Sequence, residues 1–296
     1  MRTSSVTSLS PFPHLPEDLE REIFEVTARH SRPDAITLST LSKTLRSWII
    51  SILFESAFFA NELPHPKPQE LFVRYGHCIR HLALCIFSPE DVEYLAYTPN
   101  VVDLAVCGGM GDLPVLPALA EYVSKMPLRR LHIDISLLGP LAGSVPVEHH
   151  WQKITHFDGS TCMKSWTTPW PEFLISLPQL THLSVRDGCS YQTIQSILAE
   201  CKTLQVLVLR KMWFYGYGCT ANRRVVFVPD EHSEMDPNGY LKATKDRHWC
   251  GDDRVVVVDC GLDYLRSWQV GLKGEEEMWA IAERIVGQRK QESDGS

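Results

Sequence analysis

The chain of 296 residues carries 29 basic and 36 acidic side chains, a net charge of −7, with 44% hydrophobic and 22% charged residues. At about 150 residues per domain this length sets an expectation of about two folding units, and the composition excludes wholesale disorder and fibrous repeat polymers. The acidic balance leaves no global basic footprint for nucleic acid or an anionic membrane, so neither is an expected partner.

The first dozen residues, 1–12, read as a flexible lead rich in Ser and Thr. Met1 to Pro13 holds no apolar stretch of the length a signal peptide needs, so secretion is not expected. A helix should begin at Pro16, which suits a first turn that needs no N–H, followed by Glu17, Asp18, Glu20 and Glu22 at the positive end of the dipole. Leu15, Leu19, Ile23 and Val26 then recur at spacings of four, four and three, the period of one helical face. Ser31-Arg32-Pro33-Asp34 breaks the run, a second helix is expected from Ala35 to about Lys43, and a third from Thr44 to about Phe59. The greasy segment Trp48 to Ala60 is interrupted by Ser51, Glu55 and Ser56 and is shorter than the roughly 20 residues that span a bilayer. Residues 13–60 thus form a small helical domain. Pro64, Pro66 and Pro68 forbid helix and mark an extended linker over 61–70.

From residue 71 to 270 the sequence changes period. Six segments share an apolar-x-x-apolar pattern: Ile79-Leu82-Leu84, Val101-Leu104-Val106, Leu128-Leu131-Ile133, Ile154-Phe157, Leu180-Leu183-Val185 and Leu204-Leu207-Leu209. Their first residues are separated by 22, 27, 26, 26 and 24 residues, within the interval of about 20–29 residues that marks leucine-rich repeats. A seventh strand, Val255 to Val258, lies 51 residues after Leu204, a gap of two repeats or of one repeat with a long insertion over 212–253. The intervening stretches read as helices: Ser88-Pro89-Glu90-Asp91 offers a capped start, and Ile194, Ile197, Leu198 and Cys201 share a face. Each strand and helix pair is too small to bury its own apolar face, so neighbours must stack. The expected fold class is α/β, a leucine-rich-repeat-like solenoid preceded by a small all-α unit. An ordinary α/β sheet with helical crossovers is the alternative. An amphipathic helix and tail close the chain over 271–296, with Met278, Ile281, Ala282 and Ile285 on one face.

The N-terminal set Leu15-Pro16-Glu17-Asp18-Leu19, Ile23-Phe24, Leu38, Leu41-Ser42-Lys43 and Arg46-Ser47-Trp48 resembles the F-box over roughly residues 13–58. The chain as a whole is similar to fungal proteins that join an F-box-like start to irregular leucine-rich repeats. This resemblance implies that the helical unit docks on a Skp-type adaptor of a cullin-type (SCF) ubiquitin ligase while the repeats bind a protein substrate, without catalysis by this chain. Leu15, Pro16, Leu19, Ile23 and Trp48 are the candidate adaptor contacts. Ser and Thr at 37, 39, 40, 42 and 44 dilute the aliphatic run usual in the family. A repeat scaffold without ligase role, its helical start only capping the solenoid, is the competing reading.

Aligned by their anchors, the strands place His81, Asp103, Arg130, His156, His182 and Val206 in one column. Ala83, Ala105, His132, Asp158, Ser184 and Val208 form the next, and Cys85, Cys107, Asp134, Ser160, Arg186 and Arg210 the third. With strands about 4.8 Å apart, Arg130, His132, His156, His182 and Arg186 are the candidate partner contacts on the concave face. Such a patch suits an acidic segment, with affinity rising as the histidines protonate, unless these are merely solvated strand residues.

Nine cysteines, an odd number without a CxxC pair, read as reduced thiols of a cytoplasmic or nuclear protein. No cofactor is expected, and no metal: Cys219, His232, His248 and Cys250 lack the short regular spacing of a zinc site. Cys107-Gly108-Gly109-Met110-Gly111-Asp112 has neither a dinucleotide fingerprint nor a P-loop lysine, and no GxSxG or HExxH set occurs, so no catalytic residue is assigned.

Overall fold

The computed structural model describes residues 15–59, 68–85, 89–107, 116–134, 151–160, 170–186, 191–212, 241–244, 252–260 and 278–294. The chain divides into two compact units, 1–56 and 57–296.

The first unit holds three helices, α1 (Glu17–His30), α2 (Arg32–Leu41) and α3 (Lys43–Leu53). Ser31 alone separates α1 from α2, because its hydroxyl accepts from the Asp34 N–H at 3.4 Å and Pro33 falls in the first turn, where a missing N–H costs nothing. The expected break over four residues is therefore one capping residue. Ser42 repeats the device at α3, accepting from the Leu45 N–H at 3.1 Å. Among the described residues of this unit only Ala28, Ala35 and Ile49 are fully enclosed, with Phe24, Leu38, Leu45 and Trp48 packed around them. A core this small is marginal by itself.

Helix α3 ends at Leu53, six residues before the end expected at Phe59, and Ser56–Phe59 forms strand β1. Phe59 finds its partners there, with ring centroids 5.7 Å from Phe72 and 4.9 Å from Tyr94. The expected linker also ends early: Pro68 opens α4 (Pro68–Tyr75), so only 60–67 precede it, and those residues lie outside the described set.

The second unit is built on one nine-stranded sheet in the order β1-β2-β3-β4-β5-β6-β7-β9-β8. Its strands are β2 (His81–Cys85), β3 (Asp103–Cys107), β4 (Arg130–Asp134), β5 (His156–Ser160), β6 (His182–Arg186), β7 (Val206–Met212), β8 (Leu241–Thr244) and β9 (Val255–Cys260). Neighbours from β2 to β7, and β7 with β9, run parallel, while β8 adds antiparallel to β9. Because β9 lies directly beside β7, the 51-residue gap is one connection with an insertion and not two further strands of the parallel run. Consecutive entry turns are tied across the sheet by the same bond, Val102 N to Arg80 O, Arg129 N to Val102 O, Thr155 N to Arg129 O, Thr181 N to Thr155 O and Gln205 N to Thr181 O, each 2.8–2.9 Å.

Helices follow the strands: α5 (Pro89–Glu93), α6 (Leu116–Lys125), α7 (Trp170–Ile175), α8 (Tyr191–Glu200) and α9 (Met278–Asp294). Leu82, Leu84, Leu104, Val106, Leu131, Ile133, Phe157, Leu183, Val185, Leu207 and Leu209, alternate residues of their strands, point to one face and form a continuous core with residues of α4 to α8. Helix α9 packs on the opposite face, Met278, Trp279, Ala282 and Val286 against Val206, Val208 and Val256. The chain is thus a mixed α/β protein with a helical N-terminal unit. Gly76 packs so tightly that a Cβ there would sit 2.3 Å from the Tyr97 carbonyl oxygen. Gly76→Ala is expected to lower stability by about 1–3 kcal/mol through overpacking, read from the urea midpoint at constant slope.

Candidate functional site

On the face beneath α9 the first column runs His81, Asp103, Arg130, His156, His182 and Val206 in direct register. The second runs Ala83, Ala105, His132, Asp158, Ser184 and Val208. Arg130, His132, His156 and His182 are therefore neighbours. Arg186 occupies β6 opposite Arg210 of β7.

The cluster is not an open patch. His132 and His182 are 6% and 5% exposed, and His156 is partly buried. The rings of His156 and His182 stack 4.1 Å apart and 3° from parallel, and Trp279 of α9 stands edge-on to both, at 5.4 and 5.6 Å. Glu283, one turn further along α9, places Oε1 2.9 Å from His182 Nε2. Each imidazole is also braced by the preceding hydroxyl: Thr155 Oγ1 lies 2.9 Å from His156 Nδ1 and Thr181 Oγ1 2.8 Å from His182 Nδ1. His156 and His182, two of the expected concave-face contacts, are covered by α9, whose apolar side packs on valines of β7 and β9 beside them.

Under the same face lies a charged group. Asp158 Oδ1 is ion-paired at 2.6 Å with Arg210 Nη2, whose side chain reaches across β6 from β7, and Asp158 Oδ2 stands 2.6 Å from His132 Nδ1. Arg210 also donates to the Gly159 carbonyl at 3.1 Å. Burial alone would raise the Asp158 carboxyl, but Arg210 and then His132 outweigh it and hold it at about 2. His156 goes the other way from its ordinary 6.5, to about 3, because burial, then His182 and Arg130, disfavour its cation. Burial also lowers His182, with Glu283 opposing it. Perturbed ionisation of this kind gathers at functional sites, although structural ion pairs produce it too.

Arg289 pins the far end of α9, donating to the Val255 carbonyl at 2.6 Å and the Asp253 carbonyl at 3.2 Å. Sequence reasoning placed Asp158, Ser184 and Arg210 in its columns without singling them out, and gave no role to Trp279 or Glu283. The alternation of charged with apolar residues on one strand face was the available signal for Asp158 and Arg210. Nothing local indicates where α9 is seated.

The N-terminal candidates fall into two groups. Leu15, Leu19 and Ile23 are 49%, 47% and 52% exposed, joined by Val26 at 55%, and Pro16 is the N-cap of α1. Leu19, Ile23 and Val26 therefore form a stripe along α1 that the unit's own core does not use. Trp48 instead packs against that core and is only partly accessible. Arg29 and Glu55 form a surface ion pair at 2.5 Å.

Cys78, Cys85 and Cys201 carry no disulfide. Among the described residues no three His, Cys, Asp or Glu side chains converge as a metal site, and no helix is long and apolar enough to cross a membrane. Cys219, His232, His248 and Cys250, whose spacing gave no expectation of zinc, lie outside the described residues, as does the glycine-rich stretch 108–112. No protein-family model matches the chain, and no curated protein matches it in sequence.

Proposed function

We infer that the chain is the substrate-recognition subunit of a cullin-type ubiquitin ligase, with the helical unit docking a Skp-type adaptor and a leucine-rich-repeat-like solenoid holding a protein substrate. It supplies geometry and no chemistry, and works in the cytoplasm or nucleus. The observation that carries this reading is the exposed stripe Leu15, Leu19, Ile23 and Val26 on a unit whose enclosed core is three residues. Three aliphatic side chains in line on α1, with exposed Leu15 just ahead of the helix, are the kind of surface that a partner covers. The repeat reading is supported by the intervals of 22, 27, 26, 26 and 24 residues and by a parallel sheet whose strands follow chain order from β2 to β7.

Co-expression with a Skp adaptor tests it. The wild-type chain is expected to co-purify with the adaptor, and the Leu15→Asp, Leu19→Asp double variant to lose at least about tenfold in affinity, since burying two carboxylates at an interface costs more than 1.4 kcal/mol. Both side chains are exposed, so the variant's thermal melt should match the wild type within a few degrees. Failure of the wild-type chain to bind any Skp adaptor overturns the ligase reading and favours the stand-alone scaffold.

A further inference from the structure

The two faces of the sheet differ in kind. The face under α4 to α8 is aliphatic and aromatic from Leu82 to Leu209. The face under α9 sets Val206, Val208 and Val256 beside a stacked imidazole pair and the Asp158–Arg210 ion pair. Permanent cover for a chain's own helix does not require such groups, because apolar replacements of similar volume hold packed elements as well or better. What polar groups in a groove add is discrimination among ligands, since a helix without the matching group leaves them unpaired. Helix α9 meets that demand at its N-terminal half, where Trp279 covers both imidazoles and Glu283, 56% exposed at the rim, pairs with His182. Arg289 fixes the other half over the start of β9.

We propose that the sheet face from β5 to β9 is a helix-binding surface, and that the first turns of α9 occupy it in competition with a partner helix presenting the same chemistry: an adjacent Met-Trp pair with a carboxylate one turn beyond the Trp. This is the helix-in-groove mode of recognition, with anchors on one side of an amphipathic segment. It rests on the reading of the repeats as the partner-holding region, and it names the class of segment that region selects.

The test uses the full-length chain and a fluorescein-labelled peptide of residues 274–294. In the wild type the tethered copy competes at an effective concentration on the order of mM, so the peptide should bind weakly. The full-length Trp279→Ala variant, whose own helix is weakened while the face is intact, should bind the wild-type peptide at least about tenfold more tightly, and a Glu283→Lys peptide less well. Equal binding, or none, to two folded chains overturns the proposal. Hydrogen exchange on the wild type decides independently of whether the variant folds: α9 amides should exchange faster than those of β6 and β7, and equal protection of both overturns it. Adaptor capture depends on α1 and not α9, so failure in that assay sinks the ligase reading alone, and failure here sinks this inference alone.

Discussion

Replacing Arg210 with methionine is expected to lower the free energy of unfolding by about 2–4 kcal/mol at pH 7, because it leaves a largely buried carboxylate, 17% exposed, without its guanidinium partner. Asp158 lies 2.6 Å from the permanently charged guanidinium of Arg210, and its other close contact is His132 Nδ1, also at 2.6 Å. Asp158→Leu should cost a similar amount from the other side, leaving a guanidinium 3% exposed without its carboxylate, its Nη2 still donating to the Gly159 carbonyl at 3.1 Å. The double variant should be far milder than the sum, since it removes both the attraction and the two desolvation penalties. Urea unfolding of the four proteins closes the cycle. If either single change costs under about 1 kcal/mol, the pair is solvated in solution and the burial argument fails.

The second large effect is acid sensitivity. The unfolded chain protonates His156 near its ordinary 6.5, whereas the folded chain does so only near about 3. Below pH 6.5 the unfolded state therefore binds more protons, and stability falls as pH falls, by up to about 1.4 kcal/mol per pH unit from this one group. Above 6.5 both states are neutral at this position and the slope from His156 vanishes. His182, also lowered, acts in the same direction. Asp158 contributes in a lower window: its stabilisation is complete above 3.8 and is lost as pH drops towards about 2. His156→Asn should flatten the urea midpoint between pH 6.5 and 4 relative to the wild type, whatever its offset at pH 7. Parallel curves for the two proteins would show that His156 is not the titrating group.

The elements that the sequence made legible are those governed by short-range pattern. The six anchors begin two residues before strands β2 to β7, and the column His81, Asp103, Arg130, His156, His182, Val206 taken from the intervals is the column that the register makes. Side-chain alternation permits no other outcome once the Leu and Val residues face the core, because a one-residue slip would turn them all outward. The stop of α3 at Leu53 was hidden for the complementary reason. Ala57, Phe58 and Phe59 are compatible with helix locally, and the strand wins only because Phe59 meets Phe72 and Tyr94 from elements far along the chain.

Composition, period and charge thus determined a mixed α/β chain with a helical start, a parallel run of strands and a row of histidines on one face. Tertiary structure alone decided what becomes of that row. Amphipathicity says that α9 must bury one side, but not against which surface, since hydrophobic burial has no direction. Only the folded chain brings Trp279 over His156 and His182, and carries Arg210 across β6 to Asp158. A face that alternation alone presents to solvent is closed by a segment about a hundred residues further on in the sequence, because that is where three valines and two imidazoles can be covered at once.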